Sequence, residues 1–499
     1  MTESIQTVAV IGAGAMGAGI AQVAAQSGYQ TILFDLAEGK AEQAKAEIAA
    51  RLDKKVSRNK MSAVQRDEIV QSIKCSTELQ SVSSADLVIE AIVEDLQIKQ
   101  GLFRDLEAIC AEECMLATNT SSISVTSIAS ALNKPDRFVG LHFFNPAPLM
   151  ALVEVVRGIE TSDEVCSRAK GWAESCGKRA VVTRSLPGFI VNRVARPFYA
   201  EALRALEVNV APIQDIDYCL TKTAQFRMGP FELMDLIGHD VNYAVTKSVY
   251  DAYYQDRRFT PSLIQKELVD AGLLGRKSGR GFYDYTGATE KPEPNFAKPC
   301  ALTDSCSVTL YSDGNLISDF AQLTGLTAEK ADSAYLDIDG VYVAFTQGIT
   351  ASQLSDQLKQ PVVLMDYCQS YMDSEVIILA AADQNSTEQT EKAVAYFQSK
   401  GKQVMLLDDY PGLIVWRTWC MLINEALDLA NQNGASLEDI DIAMKSGVNY
   451  PFGPVELGES LGWNRVLTTL NHLQSFYGEE RYRSSPLLRR LSLNSKKGN

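Results

Sequence analysis

Histidine is scarce in this chain. There are three in 499 residues, His142, His239 and His472, and none lies between 240 and 471. No imidazole acid–base site can be built in that long interval. The ten cysteines contain no CxxC pair. Cys110 and Cys114 are four apart, but no His or further Cys stands nearby at ligand spacing, so no metal centre is expected. Positive charge is in short supply too, with 47 Lys and Arg against 62 Asp and Glu and a net charge of -15. That balance argues against general nucleic-acid or membrane-surface binding, and a phosphate-bearing ligand would need a local positive cluster. Residues 4–34 carry no charge at all, but five glycines and several glutamines interrupt them and Glu3 stands where a signal peptide would be basic. Neither a secretory signal nor a membrane span is read there, and the expected compartment is the cytoplasm, where thiols stay reduced. The length allows about three domains of ordinary size.

What is present organises itself around TVAVIGAGAMGAGIAQVAAQSGYQTILFD, residues 7–35. A short apolar run stops at a glycine turn. A helical pattern of small residues follows, then a second apolar run that closes on Asp35. This is the strand–turn–helix–strand–acid order of a dinucleotide-binding fingerprint. Gly12 permits the tight turn, Gly14 the approach of backbone to a pyrophosphate, and Gly17 the packing of helix on strand. With Ala15 and Met16 these residues form the expected phosphate cradle at a helix N-terminus. Asp35, 18 positions after Gly17, can accept from a ribose 2′-hydroxyl and would repel a 2′-phosphate, so the expected cofactor is NAD.

Further along, RLDKKVSRNK (51–60) places Arg51, Lys54, Lys55, Arg58 and Lys60 against the single Asp53. Lys54, Arg58 and Lys60 are candidates for the phosphates of a large anionic substrate; a solvated helix face is the alternative. Leu87–Ile89 reads as a buried strand, followed by Glu94 and a helix from near Leu96 that carries Lys99. Met115–Thr118 is the next strand and ends in Asn119, Thr120, Ser121 and Ser122. In doubly wound sheets ligands sit beyond the carboxyl ends of strands, although Ser and Thr also cap helices. Phe138–Leu141 leads into His142 and an aromatic pair, and LVEVV (152–156) buries Glu154 within an apolar strand. An unpaired carboxylate there is costly, and a histidine partner would satisfy it. Such a pair could be purely structural, or it could serve alcohol oxidation: imidazole takes the hydroxyl proton while the carboxylate fixes its tautomer. From Pro187 the pattern turns helical, with one long helix expected across PGFIVNRVARPFYAEALRAL, kinked at Pro197.

The helical segment recurs at an offset of 224. PGFIVNR (187–193) matches PGLIVWR (411–417), Glu201 matches Glu425, Asp217 matches Asp441, and Gly229, Pro230 and Glu232 match Gly453, Pro454 and Glu456. So long a period means duplication, not a solenoid. The basic C-terminal run echoes RRFTPSL near 260 and reads as repeat, not loose tail. The expected fold is an α/β Rossmann-type dinucleotide-binding domain (1–186), an all-α domain (187–286), a degenerate α/β segment (287–410) and a second all-α copy (411–499). At the same offset His142 falls on Asp366, Glu154 on Ile378, Ser121 on Phe345 and Asn192 on Trp416, so the second copy reads as chemically inert scaffold.

VAVIGAGAMGAGIA, TNTSSIS, GLHFFNPAP, LVEVV, PGFIVNR, MGPFEL and GRKSGRGFYDY together resemble the bacterial L-3-hydroxyacyl-CoA dehydrogenases, in order and over nearly the whole chain. The likeness is to the long form with a duplicated C-terminal domain, and most of all to its branch acting on 3-hydroxyadipyl-CoA in phenylacetate degradation. The resemblance implies an NAD-dependent oxidation of an acyl-CoA substrate. It implies His142 as general base oriented by Glu154, with Ser121 and Asn192 hydrogen-bonding the reacting oxygen. Glu94, Lys99, Ser121, Asn145 and Lys277 would approach the cofactor, and the basic stretch would face the CoA phosphates. If the acyl chain ends in a carboxylate, Arg193 and Arg196 are candidate partners; for Arg196 a surface salt bridge to Glu201 is the alternative. Short-chain 3-hydroxybutyryl-CoA, free hydroxy acids and a non-catalytic NAD-binding role stay open, as does assembly into a homo-oligomer.

Overall fold

The computed structural model describes residues 5–287, 289–302, 305–314 and 317–495. The chain forms two compact units, Met1–Arg193 with Gln432–Val448, and Val194–Asn431 with Asn449–Asn499.

In the first unit the apolar runs become strands β1 (Thr7–Ile11), β2 (Gln30–Phe34), β3 (Ile73–Ser76), β4 (Leu87–Glu90), β5 (Met115–Thr118), β6 (Phe138–Phe143), β7 (Leu152–Arg157) and β8 (Arg179–Arg184). They form one sheet in the order β3-β2-β1-β4-β5-β6-β7-β8. Alternation along β1 sends Val8 and Val10 into one apolar layer and Ala9 and Ile11 into the other, so both faces are covered. The order reverses between β1 and β4, which opens a ligand crevice beyond their carboxyl ends. Helix α1 (Ala15–Gln26) follows β1, and α2 (Lys40–Ser57) follows β2. Neighbouring strands are parallel except β6 and β7. Only residues 144–151 join those two, too short a link for a parallel crossover, so the chain turns back.

The long helix expected from Pro187 is not formed. Gly188 and Phe189 have positive φ (77° and 46°), so helix starts only at Val191. It ends at Val194, and a second helix, Arg196–Glu207, restarts with Pro197 in its first turn, the position where a missing N–H costs nothing. The equivalent of Pro197 in the second copy is Met421, and there a single helix runs unbroken over Val415–Asn431.

The second unit carries a sheet of β9 (Val308–Ser312), β10 (Glu329–Lys330), β11 (Tyr335–Ile338), β12 (Val341–Phe345), β13 (Val362–Met365), β14 (Val376–Ala381) and β15 (Gln403–Leu407), ordered β10-β9-β11-β12-β13-β14-β15. At the 224 offset β7 falls on β14 and the helix Asp163–Ser175 falls on Thr387–Ser399, end for end. The antiparallel β6–β7 pairing is repeated as β13–β14, and parallel β7–β8 as β14–β15. Upstream the likeness fails: β9, β11 and β12 form an antiparallel meander in place of a glycine turn. The basic C-terminal run folds as the helix Pro486–Ser495, the counterpart of Leu263–Asp270.

Each sheet is covered by helix from the other copy of the repeat. Residues 432–448 join the first unit, where Gly447 lies so close to Leu152 that a Cβ would stand 2.5 Å from its Cδ2, and Arg184 N donates to Gly434 O at 2.8 Å. The equivalent segment 208–224 stays with the second sheet, with Cys219 Sγ 3.5 Å from Met405 Sδ and Gln369 N donating to Thr223 O at 2.8 Å.

In the second copy the positions equivalent to His142 and Asn192 are filled. Asp366 Oδ2 accepts from the amides of Ile414 and Val415 (2.9 and 2.8 Å), and Oδ1 from Trp416 and Tyr367 (2.9 and 2.8 Å). Burial pushes this carboxyl up to about 6 while the four amides pull it down. Trp416 stacks on Tyr367 with centroids 4.0 Å apart, and Phe345 packs on the same tyrosine at 5.2 Å. An aromatic ring thus occupies the position of Asn192, with two more packed beside it. Asp366→Ala should lower stability by about 3 kcal/mol, because a buried helix start loses its acceptor, and leave turnover per folded molecule unchanged. Thermal melting beside steady-state rates checks this; a rate loss exceeding the loss of folded protein would contradict an inert second site.

Candidate active site

The glycine turn is shaped by contacts that no other residue tolerates. Gly12 has φ 100°, and a Cβ there would lie 2.6 Å from Ala91 O. A Cβ on Gly17 would lie 1.8 Å from Gly12 O, so α1 could not close onto β1. Gly14 is different: a Cβ there would meet nothing within 4 Å. Its bareness serves no neighbour in the chain, and it sits at the N-cap of α1 with no side-chain cap on the helix amides. An open, uncapped helix start is an anion site. Asp35 Oδ2 accepts from Ala13 N at 2.8 Å and Oδ1 from Ala37 N at 3.0 Å, which fixes the carboxylate at the end of β2 beside the turn. The residues present fit a dinucleotide. Met16 packs partly buried on the core, so its share in the cradle is main chain.

A cavity of about 650 Å³ runs from this turn to α2. Helix α2 buries Ala41, Ala44, Ile48 and Leu52 against the sheet. Its opposite face and the turn after it bring Lys54, Arg58 and Lys60 to the cavity, with Gly14, Ala15 and Asn145 on other walls. Arg51, Lys55 and Lys40 line it as well. Lys54, Arg58 and Lys60 remain exposed where they line it.

The polar loop after β5 hangs on one carboxylate. Glu94 Oε1 accepts from Thr120 Oγ1 (2.6 Å), Ser121 N (3.0 Å), Ser122 N (3.2 Å) and Ser122 Oγ (3.0 Å). Burial pushes its carboxyl up, but the Lys99 ammonium and these hydroxyls outweigh burial and hold it below the usual range. Lys99 itself is buried, 2.6 Å from Glu90 and 3.2 Å from Glu94. Its ammonium pairs with both carboxylates and so braces the loop that carries Ser121. Glu90 was not singled out in the sequence, though an acid closing the buried strand LVIE is the kind of signal that finds it.

His142 and Glu154 face each other in the antiparallel register of β6 and β7. Nδ1 lies 2.6 Å from Glu154 Oε2, and both side chains are buried. Glu154 Oε1 accepts from the amides of Ile190 and Val191 at 3.0 Å each. The carboxylate thus caps the helix that carries Asn192 and orients the imidazole at once. Because a carboxylate accepts, Nδ1 carries the ring proton and Nε2 keeps its lone pair. Phe144 and Phe189 flank the ring at 4.6 and 5.6 Å. The side chains of Ser121 and Asn192, both half-buried, make no hydrogen bond among the described residues, which leaves them free for a ligand.

The remaining expected site residues have partners within their own units. Arg193 is fully buried and donates to Gln432 Oε1 at 2.9 Å, a tie within the first unit. Lys277 belongs to the second unit and pairs with Asp240. Arg196, also in the second unit, makes no salt bridge to Glu201, which pairs with Arg204 and Arg417; it is buried and bonds Thr246. Among the described residues no cluster of three or more His, Cys, Asp and Glu could hold a metal, and no helix is long and apolar enough to cross a membrane.

Comparison with known proteins agrees with this geometry. Residues 7–186 match the 3-hydroxyacyl-CoA dehydrogenase NAD binding domain, and 188–285 and 412–499 each match the C-terminal domain of the same family. Residues 343–411 match the 3-hydroxybutyryl-CoA dehydrogenase reduced Rossmann-fold domain. A 3-hydroxyadipyl-CoA dehydrogenase of Escherichia coli is 46% identical over 99% of this chain and 98% of its own. A crystal structure of a 3-hydroxybutyryl-CoA dehydrogenase from Escherichia coli K12 superposes with a TM-score of 0.92 at 46% identity, covering 100% of both chains. A (S)-3-hydroxybutyryl-CoA dehydrogenase from Ralstonia eutropha covers 57% of this chain and 100% of its own, with a TM-score of 0.55 and 36% identity. NAD is the cofactor of the matched domain, and the geometry of the glycine turn and Asp35 fits it. The chain belongs to the 3-hydroxyacyl-CoA dehydrogenase family.

Proposed function

We propose that this NAD-dependent dehydrogenase oxidises L-3-hydroxyacyl-CoA esters whose acyl chain ends in a second carboxylate, with 3-hydroxyadipyl-CoA as the substrate. The observation that carries the chemistry is the buried 2.6 Å contact of His142 Nδ1 with a carboxylate that is itself held by two helix amides. With Nδ1 committed, Nε2 takes the proton of the 3-hydroxyl as the carbonyl forms, and Glu154 stabilises the imidazolium. Bound NAD supplies the hydride acceptor. The Ser121 hydroxyl and the Asn192 amide hydrogen-bond the reacting oxygen, and Glu94 holds the Ser121 loop in place. Lys54, Arg58 and Lys60 receive the CoA phosphates in the cavity they share with the glycine turn. Asn145 lines the same cavity on the cofactor side.

The acyl group is where the names of these relatives part. The curated relative is named for the adipyl ester and the solved one for the butyryl ester, at the same 46% identity. The test is NADH formation with each thioester. A carboxylate received by a protein cation should favour the adipyl ester by about 10- to 100-fold in kcat/KM. Preference for the butyryl ester would establish the short-chain reading and discard the dicarboxylate.

A further inference from the structure

A small pocket of about 80 Å³ lies within the second unit, against the helix Arg196–Glu207 and the segment 258–265. Four guanidinium groups, Arg196, Arg204, Arg258 and Arg481, line it against one carboxylate, Glu207. Three of the four are neutralised. Arg258 pairs with Asp256, Glu425 and Asp428, Arg204 with Glu201, and Arg481 with Glu479. Arg196 is the exception. It is 6% exposed and has no acidic partner. Its Nη1 donates to the neutral Thr246 hydroxyl at 2.9 Å, and its guanidinium lies 4.9 Å from the centre of the Tyr199 ring. Its Nε, and Nη2 of Arg204, are buried without a hydrogen-bond partner among the described residues.

Burying a cation without a counter-ion opposes folding, and leaving its donors unmade adds to the cost. Burial draws the Arg196 pKa down from its ordinary value, yet a guanidinium stays protonated in proteins. The fold therefore holds a fixed positive charge without a counter-ion at the wall of a cavity large enough for one small anionic group. Glu207, whose Oε1 accepts from Ser262 Oγ at 2.7 Å, makes the pocket less hospitable to a dianion than to a single negative charge.

We propose that this pocket is a carboxylate-binding site in which Arg196 receives the carboxylate and Arg204 and Thr246 flank it. The carboxylate is that of a small molecule taken up from solution.

Thermal melting of full-length wild type, Arg196→Met and Arg196→Lys with adipate, and with inorganic phosphate as control, decides it. Adipate should raise the wild-type melting temperature, raise it less in Arg196→Lys, and leave Arg196→Met unmoved. Without ligand, Arg196→Met should melt no lower than wild type, because no ion pair is broken. A lower melting temperature that Arg196→Lys does not restore would make Arg196 structural and overturn the proposal. The absence of an adipate-specific shift in wild type would overturn it as well.

Discussion

His142→Ala is expected to lower kcat by about 10²- to 10⁴-fold, the usual loss when a positioned acid–base group is removed. The affinity for NAD should hold, because the glycine turn and Asp35 draw nothing from His142. Among the described residues its Nδ1 bonds only Glu154, which keeps its two helix amides when the ring is gone. The fold should therefore survive, and the loss should lie in kcat rather than in cofactor binding. Steady-state rates with a 3-hydroxyacyl-CoA, beside NAD titration, check this. Undiminished turnover would remove His142 from the mechanism. Turnover lost together with NAD affinity would point to collapse of the site.

Glu154→Gln should cost nearly as much, for a different reason. Glutamine fits the same space, and its amide oxygen can go on accepting from Ile190 and Val191. Its NH2 then faces His142 Nδ1, which must accept, so the ring proton moves to Nε2. A protonated Nε2 cannot take the hydroxyl proton. A wrong tautomer of this kind costs up to about 10⁴-fold in serine proteases, and about 10³-fold or more is expected here. Melting temperature should change little. Glu154→Ala should lose activity and stability together, since two buried amides are left without an acceptor. A Gln variant with wild-type kcat would mean that the carboxylate serves only the helix cap. The second copy separates the two duties naturally. Ile378 stands at the Glu154 position, and Asp366, at the His142 position, takes over the amides of Ile414 and Val415. The helix start keeps its acceptor where the dyad is gone.

Much of this was legible in order along the chain. GAGAMG between two apolar runs and Asp35 defines the dinucleotide site because its interactions are local: a turn, a helix start and a strand end within thirty residues. The duplication was legible because one offset aligns PGFIVNR with PGLIVWR and persists through Gly229 and Gly453. His142 and Glu154 stood out because a lone histidine and a buried acid in apolar strands each need a partner.

What the sequence determined by itself is therefore the cofactor class, the duplication and the pair His142 and Glu154 as the candidates for catalysis. Only the tertiary structure decided how those residues are used, because the deciding contacts join positions far apart in the chain. The short 144–151 link makes β6 and β7 antiparallel and sets His142 opposite Glu154. Two positive-φ residues move the helix start to Val191, which turns the amides of Ile190 and Val191 onto the carboxylate. Lys99, an expected cofactor contact, is drawn inward by Glu90, nine residues earlier on a neighbouring strand. Residues 432–448 cross to the first sheet because its strands β7 and β8 need an apolar cover that their own repeat places elsewhere. Arg196 ends buried without a counter-ion because the nearest acid on its helix, Glu201, is taken by Arg417 from the second copy, 216 residues away. Pattern along a chain reports which groups require partners; only packing decides which partners they obtain.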